Sequence, residues 1–341
     1  MSKLPEPTET ITTLIDKYHE QHTEGPREHF GLSQAGTECD RALWLNWRLA
    51  VIPKFPGRIL RLFRRGHHEE YTVIDDLKAI GLKIENTGED QRRVEASLFV
   101  QGSLDGIIKH GVPEAPKTEH ILEIKTHNKK SFDELVKKGV QDSKPVHFIQ
   151  MQCYMKLSRI NRALYVAVCK DNDEIYTERV RLDSDLATHY IYRAKSISTA
   201  ERIPDPINTD PSWYKCKMCD SWDMCHSTRT TKEINCRTCI HSTPDEKRGW
   251  TCHRWNDEPI PFDAQIKGCR SHVFHPDMVP WKPLPAKDQW TGVYEIDGQA
   301  VENGEGGFSS KEILTVIQNG GRFDDDRVNT VRKVFGGEIV E

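Results

Sequence analysis

The sequence predicts an α/β fold, and three observations carry that expectation. Two short apolar segments, residues 102–108 and 121–126, are β-branched, bounded by Gly and Pro, and separated by turn-rich residues 111–116. Two stretches with helical spacing of apolar side chains, residues 58–80 and 146–157, lie on either side of them. Downstream, residues 162–169 and 174–182 read as a hairpin turned at Lys170-Asp171-Asn172-Asp173.

Each element carries its own signal. Residues 5–30 form a polar helical lead-in with Ile11, Leu14 and Ile15 as its apolar stripe. The 58–80 helix should end at Gly81, and its early turns bear His67, His68, Glu69 and Glu70, which suit either a metal or a solvated face. The first strand carries Asp105 and the second carries Glu123-Ile124-Lys125. Strand alternation sends Glu123 and Lys125 to one face and Leu122 and Ile124 into the core. Two carboxylates and a lysine then converge at the edge of a small sheet. Hard oxygen donors of this kind suit Mg²⁺ or Mn²⁺, which can activate a water and stabilise phosphoryl charge, with the lysine assisting. Phosphodiester hydrolysis is the chemistry that fits. An isolated acid-x-Lys triplet is common as an exposed cross-strand ion pair, so the flanking elements matter. In the 146–157 helix, Gln150 and Tyr154 are four apart and share a face.

This succession of helix, Asp105 strand, Glu123-Ile124-Lys125 strand and Gln150-x-x-x-Tyr154 helix resembles the RecB-like branch of the PD-(D/E)XK nucleases. The resemblance implies a restriction-endonuclease-like core, a mixed sheet flanked by helices. It implies Asp105 and Glu123 as ligands of Mg²⁺ or Mn²⁺, Lys125 as the catalytic lysine, and Gln150 and Tyr154 as the supporting pair. The family often places a further ligand on the first helix, shortly after a Gly. Here His67, His68 and Glu70 follow Gly66, and His67 and Glu70 join the expected metal set. Leu104 stands where many relatives have Pro. The implied activity is a metal-dependent deoxyribonuclease, an exonuclease used in DNA recombination, repair or end processing. DNA is the implied partner, with a single-strand annealing or other recombination protein as a second, and a phage or mobile-element origin suits the layout. No Gly-x-x-x-x-Gly-Lys loop is present, so no motor is expected. The alternative is a non-catalytic, metal-stapled nucleic-acid-binding protein on a degenerate nuclease fold, against which all five catalytic positions are present. A redox iron-sulfur carrier is a third reading.

The ten cysteines fall into two sets and a remainder. Cys39 stands alone upstream, and Cys216, Cys219 and Cys225 follow the core. One N-terminal cysteine with a C-terminal trio resembles the iron-sulfur staple of AddB-type and CRISPR-associated RecB-like nucleases, which implies a [4Fe-4S] cluster with a structural role. The same four thiolates also suit tetrahedral zinc, and spacing does not separate the two. Cys236, Cys239, Cys252 and Cys269 read as a zinc ribbon binding Zn²⁺, with His241, His253, His272 and His275 as bystanders. Cys153 and Cys169 sit in apolar segments and are expected as buried thiols.

Chain-wide features bound the rest. The 341 residues allow one sizeable core plus appendages. The start is polar, no apolar run reaches membrane length, and a cytoplasmic metalloprotein (host cytoplasm, if phage-encoded) without disulfides or membrane contact is expected. A net charge of −4 leaves nucleic-acid binding to local basic clusters, Arg58, Arg61, Arg64 and Arg65 or Lys129, Lys130, Lys137 and Lys138. Trp44, Trp47, Trp213 and Trp222 are expected to pack around the first cysteine set. The expected division is a lead-in at 1–30, a nuclease core at 31–230, a zinc ribbon at 231–280 and a small segment of unassigned role at 281–341. That last segment holds a strand near Gly292, a flexible loop at residues 304–307 and a helix from Ser310 to Gln318.

Overall fold

β-Branched and apolar side chains dominate the segments that pair into the main sheet. In chain order the first eight strands are β1 (Phe30–Gly31), β2 (Lys83–Glu85), β3 (Arg93–Glu95), β4 (Val100–Ser103), β5 (Gly106–His110), β6 (His120–His127), β7 (Arg162–Cys169) and β8 (Ile175–Arg181). Five of them form a mixed sheet in the order β2-β5-β6-β7-β8, parallel only between β6 and β7. The other three form a small sheet, β1-β4-β3. The structure, a computed structural model, describes residues 9–335; residues 1–8 of the lead-in and 336–341 of the final segment lie outside them. It divides into two units, one of residues up to Thr37 with Pro53–Lys195, the other of Glu38–Ile52 with residues from Ser196 on.

β6 is the central strand of the first unit, so its triplet does not sit at a sheet edge. Leu122 and Ile124 point into a core with Ile84, Ile108, Leu164, Val166 and Val168, closed by Val73 and Ile74 of the Gly57–Ala79 helix. Truncating one such leucine to alanine costs about 2–5 kcal/mol. That helix stops in a Schellman motif: Leu82 N–H bonds the Leu77 carbonyl and Gly81 N–H the Lys78 carbonyl, with Gly81 at φ +97. The opposite sheet face is covered by the helices Lys129–Ser143 and Pro145–Ser158. Both faces of β6 are therefore covered, with only Lys125 and Thr126 partly open, and its burial reads as a nearly continuous run rather than an alternation.

Several expectations need adjustment. The lead-in helix, Ile11–Gln21, leaves Ile11, Leu14 and Ile15 exposed. It docks instead through its polar side: Asp16 pairs with Arg61, and Glu20 accepts from the Gly57 N–H at 2.7 Å. The Lys129–Ser143 helix was masked by its charge. Its few buried residues, Phe132, Leu135 and Val140, are a thin stripe, and Gly139 at φ +75 interrupts it. Lys129 and Lys138 pair with Asp133 and Glu134 on its surface, the ordinary fate of such a basic cluster.

The second unit is organised around two buried arginines. Arg48 lies over Trp44 and Trp250, and Arg237 over Trp47, Trp250 and Phe262, at 4.3–5.3 Å from the ring centroids. Trp44 and Trp47, on the helix Asp40–Trp47, thus pack against guanidinium groups, while Trp213 and Trp222 stay half-exposed. Strands β9 (Ser242–Asp245), β10 (Gly249–Cys252) and β11 (Glu258–Pro259) form one sheet, and β12 (Lys282–Leu284), β13 (Gly292–Ile296) and β14 (Gln299–Asn303) another. The helix Ser310–Gln318 and the Gly304–Gly307 loop fall where the sequence put them.

Residues 231–280 and 281–335 share one core rather than two. Phe274 and Val279 pack with Tyr294, Val301, Phe308, Ile313 and Val316. Buried His272 bridges the parts, with Nδ1 at 2.7 Å from the Ser310 hydroxyl and Nε2 at 3.0 Å from the Thr238 hydroxyl. Replacing His272 by alanine takes one partner from each hydroxyl, which keep Glu233, Asn235 and Asn303, and leaves an imidazole-sized cavity in a buried core. The expected loss is about 2–3 kcal/mol in urea unfolding, with earlier proteolysis of the C-terminal segment; a loss below about 0.5 kcal/mol would show that His272 is no link.

Candidate active site

The site is built where β6 passes the bend between β4 and β5. Asp105 sits in that bend rather than on a strand, and its Oδ2 accepts the Ile124 N–H at 2.8 Å. The carboxylate thus takes a donor at the end of the short β5 ladder and is fixed beside β6. Glu123 is fully buried, and the Lys125 ammonium is its only close polar partner among the described residues. Lys125 keeps part of its side chain exposed and reaches an open cleft of about 830 Å³. Glu70, on the Gly57–Ala79 helix, faces the same cleft and accepts from Gln91 Nε2 at 2.8 Å.

Electrostatics tie these groups together. Burial, then the neighbouring Asp105 and Glu70 carboxylates, push the Glu123 carboxyl up to about 8, against the pull of Lys125. Burial and Asp105 push Glu70 up to about 7. Burial works against the Lys125 charge, yet Glu123, Asp105 and Glu70 hold its pKa well above the ordinary lysine value. Three carboxylates compete for one ammonium, and both Glu123 oxygens lack a hydrogen bond from any neutral donor. An all-oxygen set short of positive charge fits a hard divalent cation. Among the described residues, no group of three or more His, Cys, Asp or Glu side chains is arranged as a ready-made metal site.

The other expected residues surround the cleft. Tyr154 is buried, hydrogen-bonded to Gln150, and its pKa is raised by burial and by the charges of Glu123 and Asp105. The hydroxyl end of its ring packs against Gly102, where an added Cβ would come within 2.5 Å of it. Exposed His67, one turn before Glu70, also lines the cleft, whereas His68 and Glu69 do not. Sequence reading missed His127, His147 and Tyr165. His127 is two residues beyond Lys125 on the same strand face, and His147 three before Gln150 on the helix, so the same periodicities point to both.

In the second unit, the thiols of Cys39, Cys216, Cys219 and Cys225 lie within electrostatic reach of one another, as do those of Cys236, Cys239, Cys252 and Cys269. All ten cysteines are free thiols, with Cys153 and Cys169 buried. Burial and neighbouring thiols push Cys236 up to about 12. Burial pushes Cys239 up to about 11, although its sulfur already accepts the Val273 N–H. The nearby histidines are engaged elsewhere, His241 with the Trp290 carbonyl and His253 with Asp257.

No described protein family matches the chain, and no curated protein does. Among solved structures, the chain is similar to SSO0001 at 16% identity and TM-score 0.40, over 64% of this chain and 98% of that one. It is also similar to an alkaline exonuclease of Laribacter hongkongensis, at 17% identity and TM-score 0.37 over 53% and 90% of the two chains. A phage-related exonuclease of Haemophilus somnus follows at 18% and 0.28, over 38% and 65%. These likenesses are loose, and the chemistry of the site stands on its own residues. No helix among the described residues is long and apolar enough to cross a membrane.

The raised carboxyl pKa values set a pH dependence. Glu70 and Glu123 bind protons more tightly folded than unfolded, where the ordinary value is near 4.3. The folded state therefore holds more protons between about pH 4 and 8. Stability from these groups is fully present below about pH 4 and is lost as pH rises through 7 and 8. In chelator, the Tm should fall from about pH 7, above the titration range of the buried histidines, to pH 8.5, and Glu123→Gln should flatten that slope. Parallel slopes for the two proteins would contradict the assignment.

Proposed function

We propose that the first unit is a metal-dependent deoxyribonuclease of the PD-(D/E)XK kind, acting as an exonuclease on DNA ends. One observation supports this above the others: Glu70, Asp105 and Glu123 crowd around Lys125 at one end of an open cleft, with too little positive charge for three carboxylates. The order of these residues along the chain, with Gln150 and Tyr154 on the covering helix, is the pattern on which the resemblance rests.

The roles follow from position. Asp105, Glu123 and Glu70 are the residues that would hold Mg²⁺ or Mn²⁺, with His67 as a further ligand at the cleft wall. Bound there, the cation supplies Lewis-acid stabilisation and lowers the pKa of a water. Lys125 faces the cleft with its proton held firmly and places a positive charge where the phosphoryl oxygens gain negative charge. Tyr154 and Gln150 donate neutral hydrogen bonds at the cleft wall, and Gly102 gives the tyrosine ring its place. Asp105, pinned by the Ile124 N–H, keeps its free oxygen in a fixed direction.

For the second unit we propose two metal centres that support the fold. Cys39, Cys216, Cys219 and Cys225 would hold a [4Fe-4S] cluster, or zinc in its place, and Cys236, Cys239, Cys252 and Cys269 a zinc ion. Four thiols gathered at each place suit these ions. Backbone N–H groups already aimed at the sulfurs of Cys219, Cys239 and Cys252 favour their thiolates.

Two experiments test these readings. Anaerobically purified protein with Mn²⁺ or Mg²⁺ should degrade linear DNA and spare covalently closed circles, and EDTA should stop it. Lys125→Ala should lower the rate by at least about 10²-fold at a temperature where the variant is folded. Its Tm should also fall, because buried Glu123 loses its partner. A fully active variant sinks the mechanism, and cutting of circles makes the enzyme an endonuclease. Metal analysis should find zinc that Cys239→Ser removes, together with a drop in Tm. Zinc retained at full level by that variant would end the ribbon assignment.

A further inference from the structure

Beyond Lys125, the same cleft is lined by a second polar group that the proposed chemistry leaves unused. His127, the last residue of β6, places Nε2 at 3.0 Å from the buried Tyr165 hydroxyl and Nδ1 at 3.1 Å from the Ser131 hydroxyl. His147, near the start of the Pro145–Ser158 helix, places Nδ1 at 2.9 Å from the same Tyr165 hydroxyl. Tyr165 is fully buried on β7, and both imidazoles line the cleft with Ser131 and Lys144. Lys144 is mostly covered, and the Glu134 carboxylate lies 3.8 Å from its ammonium.

The cleft is thereby polarised. Its lining carboxylates are Glu70 and Asp105, both at the metal-binding end. The stretch from Lys125 through His127, Ser131, Lys144 and His147 offers no carboxylate. Burial and the surrounding lysines pull His127 down to about 4 and His147 to about 3, so both rings are neutral near pH 7. Tyr165 has one proton, so one imidazole must donate to its oxygen and the other accept from it. In the arrangement where His127 donates to Tyr165 and the tyrosine hydroxyl donates to His147 Nδ1, Ser131 donates to His127, and His147 Nε2 carries an N–H with no protein partner among the described residues. That tautomer, which the subsite below requires, presents a neutral donor beside the cation of Lys144.

We propose that Lys144 and His147, oriented through Tyr165 and His127, form a binding subsite for a second, uncleaved phosphodiester of the DNA strand whose scissile phosphate lies at Lys125. The assignment rests on the nuclease reading and adds the register in which the strand lies: from the carboxylates, past Lys125, toward the Pro145–Ser158 helix. Lys144 supplies the charge and its salt dependence, and His147 supplies direction. Tyr165 and His127 are positioning residues that touch no substrate.

The test is equilibrium binding of a fluorescent oligonucleotide in Ca²⁺, with a single neutral methylphosphonate placed in turn at each linkage near the DNA end. One placement should weaken wild-type binding by about tenfold, near 1.4 kcal/mol. Lys144→Ala and His147→Ala should weaken binding of unmodified DNA by a similar factor and be insensitive to that placement. Lys144→Ala should also lower the salt slope of log Kd by about one. Tyr165→Phe, which keeps the ring, should reproduce part of the His147→Ala effect. Methylphosphonate penalties that add in full to those of the variants would overturn the subsite, as would an absence of any sensitive placement in the wild type. Wild-type protein that cleaves no DNA in Mn²⁺ would overturn the nuclease reading separately, because the binding measurement needs no cleavage.

Discussion

The pairing of Glu123 with Lys125 in a covered central strand is the constraint on which the first unit turns. A carboxylate buried without hydrogen bonds costs several kcal/mol, and an ammonium beside it offsets only part of that cost. The sheet nevertheless places both on its central strand, between β5 and the parallel β7. That choice makes sense if the strand must hold charged groups rigidly. β6 cannot slip by one residue without turning Glu123 and Lys125 into the apolar core that holds Leu122 and Ile124, so the two side chains keep their positions to within the tolerance of the core.

The surroundings extend this logic. Asp105 is fixed by a backbone N–H of β6 itself, so its distance from Glu123 is set by one strand. Tyr154 closes the wall against Gly102 because no side chain stands between them. Glu70 arrives from a helix whose apolar residues face the other side of the same sheet. The residues come from a helix, a bend, a strand and a covering helix, yet each is anchored to β6 or its immediate neighbours.

Much of this was legible in the sequence, for identifiable reasons. The Gly57–Ala79 helix announced itself by spacing and by Gly81, and the β7–β8 hairpin by two β-rich runs around a polar turn. The alternation in Ile121–Thr126 correctly sent Leu122 and Ile124 to the core. It did not show that the opposite face is also covered, because that depends on two helices contributed by later residues. The Lys129–Ser143 helix escaped notice, since three buried side chains among many charges leave almost no periodic signal. His127 and His147 were visible as letters, but their link runs through Tyr165, some twenty to forty residues away. Only the parallel pairing of β6 with β7 brings it beneath them.

The second unit raises a different question: how a small core accommodates two sets of four thiols. Buried thiols resist ionisation, and the upward pKa shifts express that resistance. Backbone geometry works in the opposite sense. Cys239 sits where the 3₁₀ turn capped by Asn235 meets the strand-like residues 272–275, so that the Val273 N–H points at its sulfur. The same residues carry His272 and Phe274 into the C-terminal core, where Ser310, Asn303 and Tyr294 hold them. The C-terminal segment therefore stiffens the frame from which Cys239 is presented. On the proposed zinc reading, a cation at these four thiols would have less backbone to order than in an isolated loop, and its binding energy would reinforce packing already in place.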